Sequence, residues 1–97
     1  MDIHERFEQY NDDYGKFSRI ENKRSDRSDL HAFLLLAEQF PQAPTKGTLI
    51  INGASGDQVW LDISKDQIET LTDDQILELV RCGVMHSPSY ETLSLFV

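Results

Sequence analysis

Three histidines are the side chains best suited to act as bases or metal ligands, and they lie far apart in the sequence. They are His4, His31 and His86. A histidine-based metal site needs two ligands at the spacing of one helix or hairpin, together with a third ligand residue. The histidine spacing here is much wider, so the sequence predicts no metal site and no cofactor. For His31, which lies in an apolar segment, the prediction is a solvent-facing or hydrogen-bonded histidine.

Cys82 is the only cysteine, which excludes an intrachain disulfide and a multi-cysteine metal site. It follows Arg81 near the end of a predicted helix, where the helix dipole raises the pKa of a thiol, although the arginine opposes that effect. A small buried hydrophobic side chain is the default interpretation. The sequence therefore predicts no catalytic residue and no enzyme.

The segment Asn52–Gly56, NGASG, contains two glycines and invites comparison with a phosphate-binding loop. It lacks the lysine and the following helix that such a loop requires. The segment is typical of the tip of a β-hairpin.

Acidic side chains dominate the second half of the chain. Six of them belong to a candidate interaction surface: Asp62, Asp66, Glu69, Asp73, Asp74 and Glu78. A solvated helix face is one interpretation, since carboxylates near helix N-termini are favourable. The alternative is a surface that imitates nucleic-acid phosphates or docks on a basic protein.

Trp60 and Tyr90 complete the candidate interaction surface. Trp60 shares one face of a predicted strand with Gln58 and Asp62, so it is a contact residue if that face is open and a core residue if a helix covers it. Tryptophan and tyrosine are enriched where binding energy concentrates.

Composition and charge indicate a cytoplasmic globular protein. The chain has 97 residues, 39% of them hydrophobic, with a net charge of −8. The first residues lack the basic and apolar pattern of a signal peptide, and no apolar run is long enough to span a membrane. An acidic surface disfavours nucleic acid and anionic membranes and favours a basic protein partner.

Apolar spacing predicts the helices. The central one is 28–40, SDLHAFLLLAEQF, capped by Ser28 or Asp26 and ended by two prolines. Its predicted core stripe comprises Leu30, Phe33, Leu34, Ala37 and Phe40, widened by Leu35 and Leu36. A short helix is expected within 2–11, a turn at 65–70 and a helix at 73–82, the last two each preceded by a capping-box pattern. The basic segment 16–27 is predicted to be a surface loop that could be mobile.

Strands are predicted at 48–52, 58–63, 84–86 and 92–97, with a hairpin loop at 53–57 and a turn-rich connection at 42–47. Strands joined by short loops favour an antiparallel sheet. The predicted fold is therefore α+β: one domain spanning 1–97, with a small, mainly antiparallel sheet of three or four strands packed by two main helices.

The order of the segments RSDLHAFLLL, VWLDI, LVRCGV and LSLFV resembles a group of small bacteriophage and prophage proteins, over about residues 25–97. The resemblance implies a phage-derived protein in the bacterial cytoplasm and implies no activity.

Three hypotheses of function follow. The first is a non-enzymatic acidic interaction protein, phage or prophage encoded, that binds a host protein and could interfere with a defence or nucleic-acid-handling system. The second is a homo-oligomeric accessory protein, in which copies pair through the LSLFV strand or the Trp60 face. The third is a small enzyme, disfavoured because no nucleophile, base and orienting group stand at a recognisable spacing.

Overall fold

A computed structural model describes residues 1–45 and 47–96. The helices are α1 (Ile3–Glu8), α2 (Ser28–Gln39), α3 (Lys65–Glu69) and α4 (Asp73–Arg81), and the strands are β1 (Ile51–Ser55), β2 (Gln58–Leu61), β3 (Val84–Ser87) and β4 (Thr92–Phe96). Lys46, in the predicted connection 42–47, and Val97, at the end of the predicted last strand, lie outside the described residues. No helix in the described ranges has the length and apolar character that crossing a membrane requires.

The four strands form one antiparallel sheet in the order β1-β2-β4-β3, which confirms the predicted α+β fold. Strand β4 lies between β2 and β3 and is paired on both sides. Its backbone is therefore not free to pair with a second copy, so the suggestion that copies pair through the LSLFV strand is wrong.

Strand register divides the sheet into two faces. On the core face Val59 lies opposite Leu95, and Leu95 lies opposite Val84; all three are buried. On the other face Trp60 and Met85 both flank Ser94. Trp60 is not a member of the hydrophobic core formed by the described residues. We call this second face the Trp60 face.

Helix α2 enters the core along a different stripe from the predicted one. Ala32, Leu35 and Leu36 are buried, whereas Leu30 is 43% exposed and Leu34 is 37% exposed. Of the rest of the predicted stripe, Ala37 is exposed, and Phe33 and Phe40 are only partly buried against the core. A helix with leucine on most sides has several possible core stripes, and packing against its neighbours selects one of them.

Capping chemistry fixes the positions of α3 and α4. The Ser64 and Thr72 hydroxyls accept hydrogen bonds from the backbone N–H groups of Gln67 and Gln75, and each glutamine side chain accepts one from the cap residue's N–H, so both predicted capping boxes are confirmed. Gly83 follows α4 with a φ of +90°, a left-handed conformation that favours glycine.

Helix α2 does not have its predicted cap. Arg27 occupies the N-cap position and makes no capping hydrogen bond through its side chain. Ser28 is already the first helical residue, so the prediction that Ser28 or Asp26 caps this helix is wrong.

The first hairpin is shifted along the chain relative to its prediction. Strand β1 covers Ile51–Ser55, and only Gly56 and Asp57 form the turn, because Ser55 lies opposite Gln58. A two-residue turn of this kind matches the twist of antiparallel strands and needs a positive φ at its first position, which Gly56 provides at +60°.

The basic segment 16–27 contains a single 3-10 turn, Phe17–Arg19, and is attached to the helices around it. Ile20 is 4% exposed and belongs to the core. Arg19 contacts Asp13 at 2.8 Å, and Arg24 contacts Glu38 at 2.9 Å. These contacts hold both ends of the segment against the fold.

Candidate functional site

Trp60 and Tyr90 lie against each other on the Trp60 face. Their ring centroids are 4.8 Å apart with an interplanar angle of 59°, within the range of favourable aromatic pairs. Tyr90 is 65% exposed. It lies in the loop between β3 and β4, next to Glu91, which has a left-handed φ of 50°. The sequence predicted both aromatic residues separately, and the fold brings them together.

A shallow groove of about 710 Å³ runs beside this aromatic pair. Its walls include both aromatic rings, the bulged stretch of β1 around Asn52 and Gly53, and Glu91. The indole Nε1 of Trp60 is buried and has no hydrogen-bond acceptor among the described residues. Phe96 lies on the same face, opposite Gln58, and is 57% exposed. The groove therefore combines exposed aromatic surface with an unused hydrogen-bond donor.

The predicted acidic surface is divided by the fold. Asp66, Glu69 and Asp74 are exposed and, within residues 1–45 and 47–96, form no ion pair. Asp73 is exposed but is paired with Arg6 at 3.0 Å. The accessible negative charge on α3 and α4 is thus carried mainly by the three unpaired carboxylates.

Asp62 does not belong to that surface. It is 6% exposed, and its Oδ2 accepts a hydrogen bond of 2.7 Å from the Thr45 hydroxyl. The Asp62 backbone N–H also donates to the carbonyl of Ile50. The predicted position of Asp62 on an accessible interaction surface is therefore wrong. The strand ends at Leu61, and the chain then turns inward.

Glu78 belongs to a polar cluster under the basic segment. Its Oε2 lies 3.7 Å from Arg24 Nη1, and its Oε1 lies 3.5 Å from Nε2 of His31. His31 is fully buried, and its Nδ1 accepts a hydrogen bond of 3.0 Å from the Arg24 backbone N–H. An accepting Nδ1 carries no proton, so the proton of the neutral ring is on Nε2 and faces Glu78. His31 is thus the hydrogen-bonded histidine of the two predicted alternatives, and it anchors the basic segment to α2.

The structure also brings together two histidines that sequence reasoning kept apart. Nδ1 of His4, on α1, lies 3.4 Å from Nδ1 of His86, on β3. Glu8 Oε1 lies 3.6 Å from the other ring nitrogen of His4, one helical turn along α1. Desolvation lowers the pKa of His86, and the neighbouring His4 lowers it further.

The histidine pair lies at a cavity of about 510 Å³ whose lining includes Asp2, Glu69 and Glu91. No sequence signal could have found this pair, because 82 positions separate the two residues and α1 docks on β3 only in the folded chain.

Cys82 is 4% exposed and belongs to the core. Burial raises the pKa of its thiol to about 12, and the charge of Glu78 adds to that effect. A thiol in this environment is a poor nucleophile at neutral pH.

In the described part of the chain, no group of three or more histidine, cysteine, aspartate or glutamate side chains is arranged to hold a metal ion.

Comparison of the chain with protein-family models, with curated proteins and with solved structures gives no match.

Proposed function

We propose that this protein is a non-enzymatic interaction protein that binds a basic segment of another protein through the groove beside Trp60 and Tyr90. The observation that carries the proposal is the aromatic pair on the groove wall, in which the 65%-exposed ring of Tyr90 packs against the partly buried ring of Trp60. The phage-like segment order suggests a host protein as the partner, reached in the bacterial cytoplasm.

The aromatic pair supports binding because tryptophan and tyrosine supply large contact areas at little cost in conformational entropy. Because the Trp60 Nε1 atom is itself buried, a bound segment would contact the faces and edges of the two rings rather than the indole N–H.

Charge supports a basic occupant. The chain carries −8 overall, and the groove is lined by Glu91, which is exposed next to Tyr90, and by Asp62, against one basic side chain, Lys65. An arginine or lysine over an aromatic face gains a cation–π interaction, which a nearby carboxylate strengthens. Asp66, Glu69 and Asp74 would add long-range attraction that steers a basic partner towards the protein.

The test begins with selection from a random 12-residue peptide display library, using the wild-type protein as bait and the Tyr90→Ala variant for counter-selection. Enriched peptides should be rich in arginine and lysine. Because Trp60 is the only tryptophan, its fluorescence reports on binding at the groove when synthetic peptides are titrated. Tyr90→Ala should weaken peptide binding at least about tenfold, and binding should weaken as salt is raised.

Leu34→Ala is the matched control, because Leu34 is also an exposed apolar side chain but does not line the groove. It should leave peptide affinity unchanged. The proposal fails if no peptide is enriched over the Tyr90→Ala bait, or if the selected peptides are not basic. It also fails if light scattering shows a wild-type dimer that Tyr90→Ala dissociates, because the face would then bind a second copy.

A further inference from the structure

We propose that His4 and His86 form a two-imidazole binding site for a divalent transition-metal ion such as Zn²⁺, Ni²⁺ or Cu²⁺. The two Nδ1 atoms are 3.4 Å apart. With zinc–nitrogen bonds of about 2.0–2.1 Å at a tetrahedral angle, two ligand nitrogens lie about 3.3–3.4 Å apart. The spacing in the folded chain is therefore the spacing that two imidazoles adopt around one zinc ion.

A direct hydrogen bond is the competing explanation of this contact. Hydrogen bonds with a nitrogen donor usually span about 2.7–3.2 Å, and this pair is longer. The two rings are tilted by 58° with centroids 5.5 Å apart, so they are not stacked face to face. The two nitrogens thus approach each other without forming a short hydrogen bond.

The surroundings of the pair suit a metal ligand. Glu8 faces Nε2 of His4 at 3.6 Å, the arrangement in which a carboxylate orients a metal-binding histidine through its other ring nitrogen. The pair opens into a cavity lined by three carboxylates, from Asp2, Glu69 and Glu91, and by two basic side chains, from Arg6 and Lys65.

Two protein nitrogens are one fewer than the three protein ligands of a typical catalytic zinc site, so water would fill the remaining coordination positions and the ion would be held less tightly. Imidazole ligands suit zinc, nickel and copper, whereas calcium and magnesium prefer oxygen ligands. A bound ion would link α1 to β3. Because α1 has only six residues and would be marginal on its own, this link should raise the stability of the fold.

The experiment uses the full chain without a histidine tag. Isothermal titration with ZnCl₂, NiCl₂ and CuSO₄ should give one site per chain, and the thermal midpoint should rise with metal concentration. MgCl₂ and CaCl₂ should do neither. His4→Gln and His86→Gln should each weaken zinc binding at least about tenfold, and Glu8→Gln should weaken it about tenfold.

Lys65→Arg is the matched control, since Lys65 lines the same cavity, is not one of the proposed ligands and keeps its positive charge in this variant. It should retain wild-type affinity. His86 packs 6.3 Å from the ring of the buried Phe7, so its replacement could loosen the fold. His4 is 42% exposed in its side chain and provides the cleaner variant. The site is refuted if zinc does not shift the wild-type midpoint, or if His4→Gln, folded by circular dichroism, binds zinc as tightly as the wild type.

Discussion

Replacing His31 by phenylalanine tests whether this buried ring holds the basic segment in place. The phenyl ring keeps the aromatic shape and the edge contact with Phe17, at 5.9 Å, but removes both nitrogens. The Arg24 backbone N–H then loses its acceptor at 3.0 Å. A partly buried donor left without a partner costs about 1–2 kcal/mol. For a domain of this size the thermal midpoint should fall by about 5–15 °C.

The His31→Asn variant distinguishes the effect of losing the hydrogen bond from the effect of losing the ring packing. Its amide oxygen can take the place of Nδ1, so His31→Asn loses ring volume but keeps an acceptor for Arg24. Unfolding in urea gives the free energy of unfolding, and hydrogen exchange gives the protection of the Arg24 amide. That amide should exchange faster in His31→Phe and near the wild-type rate in His31→Asn. Wild-type protection of Arg24 in His31→Phe would refute the assignment of His31 as the anchor.

Three further outcomes follow from the contacts described above. Thr72→Ala should cost about 1 kcal/mol in urea unfolding, because α4 loses its cap, and Thr72→Ser should restore most of it; equal stability of the two variants would contradict the capping role. The hydrogen bond from Arg81, at 2.7 Å, lowers the pKa of Asp13. The pair therefore stabilises the fold above the ordinary carboxyl pKa of 3.8, and this stabilisation is lost as the pH falls through the lower pKa of the folded state. Asp13→Asn should therefore flatten the acid side of the plot of thermal midpoint against pH, and an unchanged plot would count against the pair. Cys82 should resist iodoacetamide at pH 8 in the folded chain and react once urea unfolds it, as mass spectrometry can follow; rapid labelling of folded protein would contradict its burial.

Local patterns were sufficient for much of the fold. Ser64 and Thr72, each followed three residues later by glutamine, predicted two helix starts that the structure confirms. These signals depend on neighbours within a few positions, where backbone chemistry decides the outcome.

The predictions that were wrong depend on contacts between residues that are far apart in the sequence. The core-facing stripe of α2 depends on which elements pack against the helix. Leu34 was predicted to lie in the core, but it is partly exposed. Asp62 followed the strand pattern but turned inward to Thr45. For the same reason the groove could be anticipated only as two separate aromatic residues, and the pairing of His4 with His86 could not be anticipated at all.

The central position of β4 has a consequence for how the protein forms during synthesis. Strands β2 and β3 have no hydrogen bonds to each other and are joined only through β4, which is made after both. A nascent chain that has not reached residue 92 can close the first hairpin, but Val59 and Val84, which lie on either side of Leu95 in the finished sheet, then have no strand between them. The ribosome must therefore deliver residues 92–96 before the sheet can assemble, and a chain that is cut before β4 should leave an apolar seam open to chaperones and proteases.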